Sequence, residues 1–249
     1  MNCVAWLHDG QLETWAGHQS QTGDHKLAAE AAGLPMEKVT LHSLISGGSF
    51  GRRANFWSDY VVEAVHVAKA IGGNAPVRVQ STRESDMRAG LYRPMYVHAV
   101  KAGTDASGSI LGWQHTIVGQ SIMARGEASD SVDRTSTEGV WPTPYAIPNM
   151  SVSLHSPGLS VRPLWWRSVG HTHTAYVMET MMDELAVAAG RDPVQYRLQH
   201  LKDKPRHAAV LKLAAERAGW GSALSPGRAR GVAVHESFQS YVAEIAEVS

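Results

Sequence analysis

The stretch Leu44-Ile45-Ser46-Gly47-Gly48-Ser49-Phe50-Gly51-Arg52-Arg53 constrains this chain most. Before it, residues 37–44 alternate apolar and polar side chains, the period-2 pattern of a half-buried strand. After it, residues 60–70 place apolar side chains at helical spacing and read as an amphipathic helix. The run is therefore a strand, a glycine loop and a helix. Three glycines let the backbone turn sharply and let another group approach it closely. Amides at a helix N-terminus favour anions, and guanidinium groups suit phosphates or carboxylates. No Gly-Lys-Ser/Thr closes the run, so it is not a P-loop, and it lacks the G-x-G-x-x-G spacing. Taken alone, these residues leave two readings open: a turn with two solvated arginines, or a binding loop. Phe50 is the odd member, since a ring between glycines suits packing over something flat.

With 249 residues and 43% hydrophobic side chains, the chain can bury a substantial core. Lys+Arg and Asp+Glu are both 23, so no basic surface marks a nucleic-acid partner. No apolar run reaches the length of a membrane span, and no signal segment is expected ahead of Met1. One cysteine allows neither an internal disulfide nor a cysteine-ligated iron–sulfur cluster. Strand-like patterns at both ends give the expectation of a segment of a longer chain.

Asp9-Gly10 marks a hairpin between residues 4–8 and 12–15. Residues 26–32 read as a helix stopped by Gly33 and Pro35. Residues 75–80 form a strand, followed at 81–87 by a charged surface turn. Strands at 96–103 and 110–118 flank a glycine-containing turn, a hairpin signal. Residues 119–144 show no period and read as a long loop, with Arg125 and Glu138 in it as candidate substrate-facing groups whose default is a solvated surface. A short strand at 150–155 precedes Trp165-Trp166-Arg167-Ser168-Val169-Gly170, an aromatic-rich turn opening a helix over 174–189. His171 and His173 do not share a helical face and are not read as metal ligands. Asp192-Pro193 starts the next helix, 207–218 forms another, and strands at 230–234 and 241–248 flank a loop at 235–240.

The loop at 47–51 resembles the Gly-Gly-Gly-Phe-Gly loop of the molybdenum hydroxylases, the xanthine dehydrogenase and aldehyde oxidase family. Its Arg52-Arg53 ending is similar to the branch of isoquinoline 1-oxidoreductase beta subunits and molybdopterin-binding aldehyde dehydrogenase subunits. Further anchors follow in order: Thr82-Arg83-Glu84 with Asp86-Met87, then Tyr145-Ala146-Ile147-Pro148-Asn149. Arg167 with Gly170 comes next, then Asp183-Glu184-Leu185-Ala186 leading to Gly190-Arg191-Asp192-Pro193 and Arg197. The likeness runs from Asn2 to Val248. It implies an α+β fold of the molybdenum-cofactor-binding type, residues 1–249 forming part of that domain in a larger subunit, with a sub-division near 145. It implies a cofactor site made by Gln19, Gly47, Gly48, Phe50, Gly51 and Arg167, with Gln19 donating to the cofactor's oxo group.

The same resemblance implies oxidative hydroxylation of an aldehyde or N-heteroaromatic carbon with oxygen from water. The cofactor is molybdopterin, as its cytosine dinucleotide. Partners are a small [2Fe-2S] subunit and the rest of the large subunit; no nucleic acid and no membrane span are expected. No compartment follows. Ser49 departs from the third glycine, and Ala54 stands where the xanthine branch has a substrate-facing glutamate, which argues against a purine. The family's glutamate base belongs to a segment beyond Ser249, so the chain alone is expected to be inactive. The alternative is a non-catalytic scaffold or partner-binding domain that keeps the fold.

Overall fold

The computed structural model describes residues 1–249. They form two compact units, Met1–Arg93 with Val161–Arg167, and Pro94–Ser160 with Ser168–Ser249. Residue 145 lies inside the second unit, where Tyr145 is buried.

In the first unit, β1 (Asn2–His8) and β2 (Gln11–Ala16) form the expected hairpin. Asp9 and Gly10 both take positive φ, which matches the strands' twist. Helix α1 (Gln21–Ala32) ends at Gly33, whose φ of 74° lets its amide reach back to Ala29. The chain then returns as β3 (Val39–Ser43), parallel to β2. Helix α2 (Asp59–Ala70) and β4 (Val77–Gln80) complete a sheet of order β3-β2-β1-β4. Alternate strand residues Cys3, Ala5, Leu12 and Ala16 are buried in one cluster with Val61, Ala64, Val65 and Ala68 of α2. Small side chains on both partners permit close packing. The expected surface turn at 81–87 is instead helix α3 (Arg83–Ala89), because Thr82 caps it by accepting from the Ser85 amide.

The glycine loop does not abut the helix that follows it. Tight turns intervene, with Arg52 N donating to Ser49 O and Ala54 N to Gly51 O. Helix α2 begins only at Asp59, whose carboxylate accepts from Arg52 at 3.1 and 2.8 Å and from Asn55 at 2.9 Å. Those bonds hold the turns in place, so the anion-favouring end of α2 is not the loop.

In the second unit, β5 (Tyr96–Thr104), β6 (Ile110–Gly119) and β7 (Met150–His155) form a sheet in that order, β6 and β7 parallel. The 119–144 segment carries one short helix, α4 (Arg134–Thr137). Helices α5 (His171–Ala188), α6 (Pro193–His200) and α7 (Pro205–Arg217) follow, with Asp192 capping α6 as expected. A hairpin of β8 (Ala229–Ser237) and β9 (Ser240–Val248) closes the chain. The loop expected at 235–240 is only a two-residue turn. Phe238 and Gln239 both take positive φ there, so the strands run on through His235 to Ser237. Ile117, Met178, Met182, Leu211 and Val234 lie in one core. The class is α+β. No helix is long and apolar enough to cross a membrane.

Candidate functional site

Four of the six expected site residues meet in the first unit. Gln19 Oε1 accepts from the Gly51 amide at 3.1 Å. The Phe50 carbonyl accepts from the Arg167 amide at 2.9 Å, and the Arg167 guanidinium lies 5.6 Å from the Phe50 ring centroid. Arg93 Nη2 donates to the Arg167 carbonyl at 2.8 Å. The reason glycine is needed at 51 is local: its φ is +98°, and a Cβ there would stand 2.5 Å from the Trp165 carbonyl oxygen. Phe50 also takes a positive φ and stays half exposed, which costs energy for an aromatic residue.

Gly47 and Gly48 precede Phe50 and Gly51 in the same loop, and a Cβ at Gly48 would stand 2.7 Å from the Phe50 ring. They line an open cleft of about 570 Å³ with Trp15, Gly17, Leu44 and Ile45, edged by Arg53 and Arg78. A Cβ at Gly47 would meet nothing within 4 Å, so the backbone there is accessible. The amides of Gly47 and Gly48 make no bond within the protein, and neither does the Gln19 carboxamide –NH2. The two arginines after the loop are not equivalent. Arg52 is committed to Asp59, whereas Arg53 lies 5.0 Å from the Tyr60 ring centroid at the cleft's edge.

Beneath Gln19 is a network that sequence reasoning missed. His18 Nδ1 and the Tyr60 hydroxyl each lie 2.8 Å from Asp24 Oδ2, and the His18 and Asp24 side chains are fully buried. Burial and the adjacent Asp24 push the Tyr60 hydroxyl well above its ordinary range. Burial likewise pushes the Cys3 thiol up to about 12, so it stays protonated and unreactive. The network ties α1 and α2 to the segment that carries Gln19. No spacing rule links His18, Asp24 and Tyr60; the only signal was the adjacency of His18 to Gln19.

In the second unit, Glu138 is not a solvated surface group. Its Oε1 accepts from the Gly170 amide at 2.8 Å and its Oε2 lies 3.7 Å from His171 Nε2. Ser168 and Val169, just before, hold positive φ of 72° and 48°, a strained conformation for a β-branched residue. His171 and His173 diverge as their spacing required: His171 meets His235 at 2.7 Å, and His173 meets His98 at 2.8 Å. Arg125 is exposed.

A model of the molybdopterin cofactor-binding domain matches residues 1–201. The chain is 30% identical over 249 residues to the beta subunit of isoquinoline 1-oxidoreductase from Brevundimonas diminuta, covering 96% of this chain and 31% of that protein. It is 30% identical to the membrane-bound aldehyde dehydrogenase [pyrroloquinoline-quinone] of Gluconacetobacter polyoxogenes, covering 90% of this chain and 32% of that one. Quinoline 2-oxidoreductase from Pseudomonas putida 86 shares the fold, with a TM-score of 0.74 at 17% identity over 94% of this chain and 33% of that chain. The chain thus spans about a third of the length of these relatives.

Proposed function

From the premise that the chain belongs to the molybdopterin cofactor-binding domain family, we propose that it supplies one wall of the cofactor site of a molybdenum-dependent oxidoreductase. The reaction of that enzyme is hydroxylation of an aldehyde or N-heteroaromatic carbon with oxygen from water. The observation that carries this reading is the contact set of Gln19, Phe50, Gly51 and Arg167, made by segments far apart in sequence. The donor set fits an anionic, oxygen-rich group: an uncommitted carboxamide –NH2, two uncommitted glycine amides, and Arg53 and Arg78 at the cleft's edge.

Gln19 would hold the cofactor's oxo face by donation. Its position is fixed by the Gly51 amide on one side and by the buried His18–Asp24 pair next to it in the chain. Gly47 and Gly48 would present amides, and Phe50 and Gly51 would set the loop against Arg167. The bound cofactor, in its cytosine dinucleotide form, supplies the two-electron oxidation and the activated oxygen. Electrons leave through a small [2Fe-2S] subunit, since Cys3 is buried and is the chain's single cysteine. The remainder of the large subunit contributes the glutamate base.

Two measurements test this. Dye-linked aldehyde turnover of the 249-residue chain should be near zero, because loss of a positioned base alone removes about 10²–10⁴-fold in rate, and its molybdenum content should be low, because the chain supplies only one wall of the site. Turnover with stoichiometric molybdenum would overturn that, and Glu138 and Glu236 would be the residues to change first. In the complete enzyme, Gln19→Ala removes one aimed donor and should lower kcat by about 10²–10³-fold.

A further inference from the structure

The open face of the first unit's sheet carries a row of side chains that leads into the cleft of Gly47 and Gly48. Cys3, Ala5, Leu12 and Ala16 turn to the helices, so the alternate residues Val4 of β1 and Trp15 of β2 stand on the other face. The register then sets four neighbours side by side. His42 of β3 pairs with Trp15, Trp15 with Val4, and Val4 with Arg78 of β4. Trp15, Val4 and Arg78 all line the cleft, whereas His42 does not. The cleft therefore lies over this face, and the half-buried Trp15 is the one aromatic residue in its lining.

The indole is braced from the side away from the cleft. The His42 ring stacks on it, with 4.7 Å between centroids and 8° between planes. His42 Nε2 lies 2.6 Å from Glu13 Oε2, and His8 Nε2 lies 2.9 Å from Glu13 Oε1. His42 and then His8 hold the Glu13 carboxyl below its usual range, so it is ionised at neutral pH and accepts from both rings. One carboxylate on β2 thus orients a ring on β3, and that ring backs Trp15, two residues along β2.

The charges of the cleft are one-sided. No aspartate or glutamate lines it. Arg53 donates to Asn2 and Arg78 to Gln80, both neutral partners, and neither arginine forms an ion pair. An indole beside two such cations suits a flat heteroaromatic ring that carries negative charge.

We propose that Trp15 is a further cofactor-contacting residue, its indole the surface on which the pterin ring lies, and that His42 and Glu13 are positioning residues that act through it. The inference rests on the reading of this cleft as one wall of the cofactor site.

Isothermal titration calorimetry of the 249-residue chain tests it with two probes, 6-carboxypterin and inorganic pyrophosphate. Stacking a heteroaromatic ring on an aromatic side chain is worth about 5–150-fold in affinity. Trp15→Leu should therefore weaken 6-carboxypterin about tenfold, and Trp15→Phe should restore most of that loss. Pyrophosphate has no ring and should bind every variant as it binds the wild type, which also reports that the variants are folded. Glu13→Gln should weaken 6-carboxypterin about threefold and add nothing in a Trp15→Leu background, as a residue acting through Trp15 must. Indifference of 6-carboxypterin to Trp15→Leu, or loss of both probes together in that variant, would overturn the contact. A full further loss in the double variant would overturn the positioning role of Glu13. Heat with pyrophosphate but none with 6-carboxypterin would sink this inference and leave the wall's affinity for anions standing; no heat with either probe would remove the reading of the wall as well.

Discussion

Asp24 in the first unit and Arg197 in the second are both buried charges, and each is held differently. Asp24 rests between His18 and Tyr60, two partners that can be neutral. The Arg197 side chain is fully buried, and Glu179 and Asp183 accept from it at 2.9 and 2.6 Å. The Glu179 carbonyl accepts from Arg197 Nη2 at 2.8 Å, and its carboxylate also accepts from the Tyr145 hydroxyl and the Val234 amide. Arg197 thus joins α5, α6 and β8 through one carboxylate. The smaller network anchors a segment that carries a candidate site residue, whereas the larger one holds together the second unit's frame.

Breaking both networks sharpens the contrast. Arg197→Met should cost about 3–5 kcal/mol, because it leaves Glu179 buried without its counter-charge. Asp24→Asn keeps the shape and should cost about 1–3 kcal/mol. Urea denaturation read by hydrogen exchange, unit by unit, gives both values. Equal losses would show that the two networks do the same work.

Acid should separate the units next. His98, His115, His200, His207 and His235 all lie in the second unit and all have pKa values lowered, with burial the largest cause in each. His115 is held at about 4, where its Nε2 meets His98 Nδ1 at 2.7 Å. Trp113 Nε1 donates to His115 Nδ1, so His115 Nε2 carries the proton and donates onward to His98, which in turn meets His173. A lowered pKa means that the folded form binds fewer protons than the unfolded one. Its stability is full above the unfolded value of about 6.5 and falls as the pH drops toward 4. Full protonation of His115 alone is worth on the order of 3 kcal/mol. In the first unit, partly buried His8 shifts the other way, upward, chiefly through Glu13. Hydrogen exchange at pH 5 against pH 7 should therefore loosen the second unit first, and His115→Leu should flatten the difference.

Much of this architecture was legible, and its gaps have physical causes. The hairpins, Gly33 and Asp192-Pro193 announce themselves through local chemistry, which needs only neighbours in sequence. The α3 helix went unread because its one clear signal, Thr82 capping Ser85, sits among charges that also suit a turn. Gln19, Phe50, Gly51 and Arg167 came from resemblance, and the structure brings them together. The Asp24 and Arg197 networks escaped because a buried charge is recognised by its partners, and those lie up to 36 and 18 residues away. Glu138 read as solvated for the same reason, since its partner Gly170 is remote.

Within the first unit, two glycine substitutions separate packing from access. Gly51→Ala puts a methyl 2.5 Å from the Trp165 carbonyl at a φ of +98°, a strain of about 1–3 kcal/mol. It should release the Gln19 and Arg167 contacts and speed exchange at 47–53 and 161–167. Gly47→Ala meets nothing within 4 Å and should leave both segments protected. If the two variants behave alike, the loop is not held by its contact with Trp165.

The smallest contrast lies in the helix caps, one from each unit. Thr82 accepts from the Ser85 amide at 3.2 Å and also bonds the Ser85 hydroxyl. Asp192 accepts from the Gln195 amide at 2.9 Å, and its second oxygen accepts from the Trp220 indole at 2.7 Å. Loss of a cap costs about 0.5–2 kcal/mol. Thr82→Ala should fall at the low end, because α3 buries no residue and its first turn keeps Glu84 and Asp86. Asp192→Ala should fall at the high end, since it also strands an indole donor. Asp192→Asn separates the two causes: the amide oxygen still caps α6, but the –NH2 cannot accept from Trp220. Thermal melts of the three variants should rank Asp192→Ala, then Asp192→Asn, then Thr82→Ala in loss of stability. Should Asp192→Asn match Asp192→Ala, the Trp220 contact carries the effect and the cap contributes little.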